Sequence, residues 1–387
     1  MTGRPGALGA TVTFVLTWVL LISTVAPNPG PTALASDTGT PGANRGREIV
    51  ATAAETATLA TGVTFTLDGT SPVPIRSASV GYHPRWQETV YSLSTPLPPE
   101  MPDGRFSLSL SIDPRQDGLP PGLTLASAWH LVFIDGTTWT SPARDVEWVD
   151  DRFDWSIRRA GNVEVMVGAD DASDRGDRIV AEVARALPVI ERLIATTVPD
   201  PIRFWVYDSS ADLAGTRTAN VEPWIAASSF PELGVTLAAI PPGDTIEIGR
   251  LVPHELSHHV LYHAAVSPFS APPLWFDEGL AGWFQSSGAE GFSALVTAAA
   301  AGGTLPSVAA LASSFPFESS EASLAYAACW SVMTFVIETR GEAAIPRLAS
   351  AFAADLTDDA ASLAALGVDQ RALDREWRAW LGPDRPG

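Results

Sequence analysis

The sequence predicts an α+β protein: an N-terminal β-sandwich-like domain followed by a second domain whose later part is mostly helical. Three observations carry this reading. Residues 48–150 hold short alternating apolar and polar runs broken by Pro and Gly turns. Beyond residue 151, strand-like runs are interleaved with longer segments of helical period. A length of 387 residues with 46% hydrophobic content suits two cores once a targeting segment is set aside.

Residues 1–35 read as a signal peptide. Arg4 gives a positive start, residues 10–26 are apolar, and Ala33-Leu34-Ala35 offers an A-x-A cleavage site ahead of Ser36. The apolar run is short for a bilayer span, and an uncleaved membrane anchor is the alternative. Both readings place the protein outside the cytoplasm, secreted or extracytoplasmic, with membrane contact only if the segment stays uncleaved. Residues 36–47, rich in Gly, Thr, Pro and Ala, read as a linker.

Within 48–150, residues 63–67 alternate into Asp68-Gly69 and residues 106–112 alternate strictly. Residues 129–134 and 137–140 flank Asp135-Gly136 as a hairpin, and an immunoglobulin-like sandwich is one form such strands take. His83 and His130 lack a partner at metal-ligand spacing and read as surface or sheet residues. The formal charge of −20 argues against nucleic acid, because phosphate binding needs a surplus of Lys and Arg. The single cysteine, Cys329, forbids an intrachain disulfide and reads as a small buried apolar residue.

The second domain is expected over 151–383, opening at Asp150-Asp151-Arg152-Phe153-Asp154-Trp155. Residues 163–167, 202–207 and 234–240 read as strands, and 174–194 as a helix running across Pro188. Further helices are expected over 292–301, 307–313, 321–339, 343–354 and 370–380, their Ala, Leu and Trp being core packing.

Chemistry concentrates in residues 253–285. His254-Glu255-Leu256-Ser257-His258 is an H-E-x-x-H pattern, which on a helix puts both imidazoles on one face about a turn apart. Two ring nitrogens so placed can meet one zinc ion, with Glu255 beside it as general base. Pro253 suits the first position of that helix. A second helix is expected after Pro272-Pro273, with Glu278 in its first turn among apolar neighbours. A carboxylate there needs a partner, and Zn2+ completing a His-His-Glu set is one. His259 and His263 form a second i, i+4 pair, read as supporting or surface residues.

HELSH, nineteen residues, then Glu278 within WFDEGLAGWF resembles the gluzincin (MA clan) zinc metallopeptidases, and more closely bacterial exported proteins with a peptidase MA-like domain. The likeness runs from about residue 151 to 381, through DDRFDW, the zinc segment and LAYAACWSVMTFV. It implies a thermolysin-like fold, zinc held by His254, His258 and Glu278, catalysis by a zinc-activated water with Glu255 as base, and peptide or protein substrates. It also implies that strand 234–240 is the edge that pairs with substrate, and that a downstream Tyr, here Tyr326, stabilises the oxyanion. Two positions depart from the family pattern. Asp277 stands where Asn is common, and Gly282 where an Asp supports a zinc histidine, so that support is different or supplied from elsewhere. The expectation is a secreted zinc metallopeptidase; the alternative is a non-catalytic zinc-binding cell-surface module with a degenerate peptidase domain.

Overall fold

The computed structural model describes residues 49–382 apart from 86, 88, 89, 96, 98–101, 170–173, 218–225, 268 and 314–318. The signal segment and linker expected over 1–47 lie outside the described residues.

The N-terminal strands are β1 (Val50–Thr58), β2 (Gly62–Thr70), β3 (Ile75–Pro84), β4 (Tyr91–Thr95), β5 (Arg105–Ile112), β6 (Leu123–Phe133), β7 (Thr138–Thr140) and β8 (Arg144–Trp148). They form a three-stranded sheet, β1-β2-β5, and a five-stranded one, β4-β3-β6-β7 with β8 also on β6. Alternation explains the packing: Val63, Phe65 and Leu67 of β2 and Phe106 and Leu108 of β5 are buried, while the residues between them are more exposed. The expected hairpin is present, pairing His130 with Thr140 and Val132 with Thr138. Gly136 turns it at φ 82°. His130 is exposed, its imidazole Nδ1 lying 3.1 Å from Thr140 Oγ1 across that hairpin.

The chain continues as β9 (Trp155–Ala160), β10 (Val163–Gly168), α1 (Arg175–Ile194), β11 (Ile202–Tyr207), α2 (Ser210–Ala214), β12 (Ala227–Phe230), β13 (Val235–Ala239), α3 (Thr245–Ala265), α4 (Leu274–Phe284), α5 (Phe292–Gly302), α6 (Ser319–Arg340), α7 (Ala344–Ala353), α8 (Asp358–Leu366) and α9 (Gln370–Trp380). Five strands form one sheet in the order β12-β13-β11-β10-β9, with β11 parallel to both β10 and β13. Both faces are covered, which is why 202–207 and 235–239 are almost continuously apolar. Val165, Phe204, Val206 and Ala238 face the helical core. Met166, Trp205, Val235 and Leu237 join the core of the β-sandwich on the other side. The sandwich therefore forms one wall of this sheet.

Three expectations change. β13 is an interior strand between β11 and β12, so the edge on that side of the sheet is β12, not 234–240. Residues 307–313 form turns rather than a helix. Pro253 lies inside α3, which begins eight residues earlier because Asp244 accepts from the N–H groups of Ile246 and Glu247 at 3.1 and 3.0 Å. By length and composition α6 could cross a membrane, but 61% of its apolar window is buried inside the fold, where it is a core helix.

Candidate metal centre

A proline inside α3 leaves the carbonyl of Gly249 without its helical N–H partner. Ser286, just past α4, takes that place: its N–H donates to Gly249 O at 2.9 Å, and its Oγ lies 3.1 Å from the same carbonyl while its proton has the nearer acceptor Glu182 Oε1 at 2.9 Å. A Cβ on Gly249 would lie 2.7 Å from Ser286 Oγ and 2.6 Å from Ser287 Oγ, so the glycine leaves room for both hydroxyls. The docking brings the preceding residue, Gln285, to His254, with Nε2 at 2.8 Å from the imidazole Nδ1. Gln285 Oε1 is buried without a hydrogen-bond partner. With the amide in its other rotation, Oε1 accepts from Nδ1–H, leaving the Nε2 lone pair of His254 directed into the centre. The support that Gly282 cannot give to the first histidine comes from three residues further along the chain.

Helix α4 is pressed equally close to α6. A Cβ on Gly279 would sit 2.5 Å from the carbonyl oxygen of Cys329, which explains the glycine directly after Glu278. Asp277 closes the first turn of α4 and Glu278 follows it, rather than lying within that turn as its position in the sequence suggested. Asp277 Oδ1 accepts from His258 Nδ1–H at 2.6 Å, fixing that imidazole with Nε2 directed at Glu278.

His254, His258 and Glu278 are thus brought together, their candidate ligand atoms all within 4.8 Å of one another and all buried. Glu278 Oε2 lies 3.3 Å from His254 Nε2 and 3.8 Å from His258 Nε2. Burial holds the His254 pKa well below its usual value, so the 3.3 Å approach joins a neutral imidazole and a carboxyl group rather than an ion pair. Burial acts oppositely on the acids: it is the largest cause raising both Glu255 and Glu278 to about 8. His258 is lowered by burial, but Asp277 and Glu278 outweigh this and carry it to about 10. Two buried carboxyls, each with an oxygen lacking a hydrogen bond, converge with two oriented imidazoles. A divalent cation with N, N, O donors fits this set, and borderline-soft zinc takes these ligand types.

Glu255 is held from behind by a chain whose direction follows from counting protons. Ser229 Oγ–H donates to Glu255 Oε2 at 2.6 Å. Having used its one proton, Ser229 must accept from Thr236 Oγ1–H at 2.8 Å. Thr236 in turn accepts from His259 Nε2–H at 2.9 Å, and burial keeps that imidazole neutral by lowering its pKa to about 3. The register pairing Ser229 with Thr236 across β12 and β13 places both hydroxyls under α3. His259 is therefore a supporting residue, whereas His263 is exposed.

Tyr326 is buried on α6. Its hydroxyl pKa is raised well above normal first by burial and then by Glu278, whose charge acts on it more strongly than that of Glu255 or Asp277. Cys329 is fully buried, its thiol pKa pushed up by burial, which leaves it unreactive as expected. Beside the centre, His258 and Asp277 line a cavity of about 470 Å³. Its other walls include β12, Leu261 and Tyr262 of α3, residues 266, 267 and 269–272, and Arg115, Leu119 and Pro120 of the β-sandwich. Sequence reading missed Ser229, Thr236 and Gln285. No local signal marks the two hydroxyls, and Gln285 is signalled only by the misplaced proline.

Fold and site together define a mixed α+β protein with a buried His-His-Glu group that could hold a metal. A family model described as the Peptidase MA superfamily matches residues 184–383, just over half of the chain, and the chain belongs to that superfamily. No curated protein matches. Among solved structures, yeast LTA4 hydrolase in complex with bestatin is 11% identical at a TM-score of 0.34, covering 87% of this chain and 66% of its own. BC0361, a polysaccharide deacetylase from Bacillus cereus, is 9% identical at a TM-score of 0.20, covering 42% of this chain and 51% of its own. The chain thus spans less than two thirds of the first and about half of the second, and at these scores neither likeness bears on function.

Proposed function

We propose that the protein is a secreted zinc metallopeptidase, with His254, His258 and Glu278 holding the ion. The observation that carries this reading is the convergence of three buried donors within 4.8 Å, with a separately anchored Glu255 beside them. Zinc bound there supplies Lewis-acid polarisation of a carbonyl and lowers the pKa of water. Glu255, held at Oε2 by Ser229, takes a proton from the attacking water and passes it to the departing amine. The edge of β12, unpaired among the described residues, offers backbone groups to an extended peptide. Tyr326, buried on α6, is the candidate donor to the oxyanion; Tyr326→Phe should slow cleavage without altering zinc content, and an unchanged rate would remove it from that role.

The test is cleavage of a mixed peptide library by purified 36–387, with chelator and after restoring zinc. Chelator-sensitive cleavage that returns with zinc is expected. Zinc binding with no peptide cleaved would support the non-catalytic module instead. Gln285→Ala should weaken zinc binding on the order of 10–100-fold, the usual effect of losing a hydrogen-bond partner to a ligand histidine. Competition against a chromophoric chelator measures this, and unchanged affinity would show that Gln285 does not orient His254. Export, read from residues 1–36, is checked by N-terminal sequencing of the exported protein: a start near Ser36 is expected, and an intact residue 1 in the membrane fraction would favour the anchor.

A further inference from the structure

The described arginines mostly have acidic partners, in a chain with 24 basic against 44 acidic residues. Arg115 pairs with Asp113, Arg152 with Asp150 and Arg250 with Glu247. Arg217 does not. Half-buried three residues past the end of α2, it donates Nη2–H to Ser228 Oγ at 2.8 Å and has no carboxylate partner among the described residues. A guanidinium carries five N–H donors, and one hydroxyl occupies one of them. None of its nitrogens is sealed in protein without a partner; the group lines the 470 Å³ cavity that His258 and Asp277 also line. Burial lowers its pKa to about 10 with no acid to offset it, so it stays cationic at neutral pH.

Strand alternation relates this arginine to the centre. Ser229 pairs with Thr236 and faces α3, where it bonds Glu255. Ser228 pairs with Leu237, which belongs to the core on the sandwich side, and it bonds Arg217. A peptide laid along β12 sends alternate side chains to these two faces. One face meets Glu255 and the histidines, and the other meets Arg217 across a wall that includes Leu119, Pro120 and Leu237. The 86% exposed Phe269 at the same cavity adds apolar surface.

We propose that Arg217 binds a carboxylate of the substrate, so that the cavity selects peptides presenting a carboxylate next to an apolar group. This rests on the metallopeptidase reading and names its substrate class. The carboxylate can come from an acidic side chain or from a free C-terminus. Both offer the planar acceptor that a guanidinium grips through two N–H groups.

The zinc-loaded full chain and its Arg217→Gln variant would be compared on acetylated Leu/Ala pentapeptides in two matched pairs. One pair differs in a free carboxyl against an amide terminus, the other, both amidated, in one internal Glu against Gln. A charge-assisted contact predicts on the order of tenfold or greater preference in kcat/KM for the carboxylate member of one pair, abolished by Arg217→Gln. The pair that responds identifies the source. Cleavage of all four peptides without preference, or a preference that survives Arg217→Gln, overturns the proposal while leaving the peptidase reading intact. Should no peptide be cleaved, the peptidase reading fails, and ligand-observed NMR with 3-phenylpropanoate and its amide decides the binding site separately. Roughly tenfold tighter binding of the carboxylate to wild type than to Arg217→Gln supports it; equal binding overturns it.

Discussion

Glu255→Gln is expected to keep zinc and lose hydrolysis, by on the order of 10²–10⁴-fold, the usual contribution of a positioned acid–base group. Glu255 is absent from the trio whose ligand atoms converge, and its anchor comes from the sheet through Ser229 rather than from α4. Glutamine preserves the shape and still accepts from Ser229 Oγ–H through its amide oxygen, but it cannot take a proton from water. Zinc content and thermal stability should therefore match wild type. Equal cleavage by wild type and the glutamine variant would show that the proton goes elsewhere.

Replacing any one of His254, His258 or Glu278 by Ala is expected to strip the metal. In wild type a chelator should lower the melting temperature. Zinc at about 1,000 times its dissociation constant stabilises by roughly 4 kcal/mol, on the order of 5–10 °C for a chain of this size. The three variants should already melt at the lower temperature, and chelator should no longer move it. Glu278→Ala is the most informative of them, because it removes a buried carboxyl that has no hydrogen bond at Oε2 and that burial drives up to about 8. A ligand role predicts loss of zinc. A carboxyl that were merely buried predicts a variant as stable as wild type, or more so, with its metal retained.

The centre was legible in the sequence where chemistry is written in local spacing. His254 and His258 share a face because four residues make about a helical turn, and Glu278 stood out as a carboxylate among Trp275, Phe276 and Leu280. Alternation likewise disclosed β2, β5 and the β6–β7 hairpin, whereas β1, built from Ala and Thr with one Val and one Glu, carried little apolar contrast. What stayed hidden depends on long-range register. β12 is four residues, two of them serines, and its role as the sheet edge appears only once it pairs with β13. The chain from His259 to Glu255 needs that pairing and the seat of α3 on the sheet together. Pro253 was visible but misread: a proline suits a helix start, yet Asp244 caps the helix earlier, and the proline instead opens the carbonyl on which Ser286 docks. Support for His254 was therefore sought at Gly282 and found at Gln285.

The most direct test of the central claim is anomalous diffraction at the zinc edge from crystals of the zinc-loaded protein. The account predicts a single strong peak about 2.0–2.2 Å from His254 Nε2, His258 Nε2 and a Glu278 carboxylate oxygen. A peak bound elsewhere, or none at that position from protein carrying a full equivalent of zinc, would contradict it.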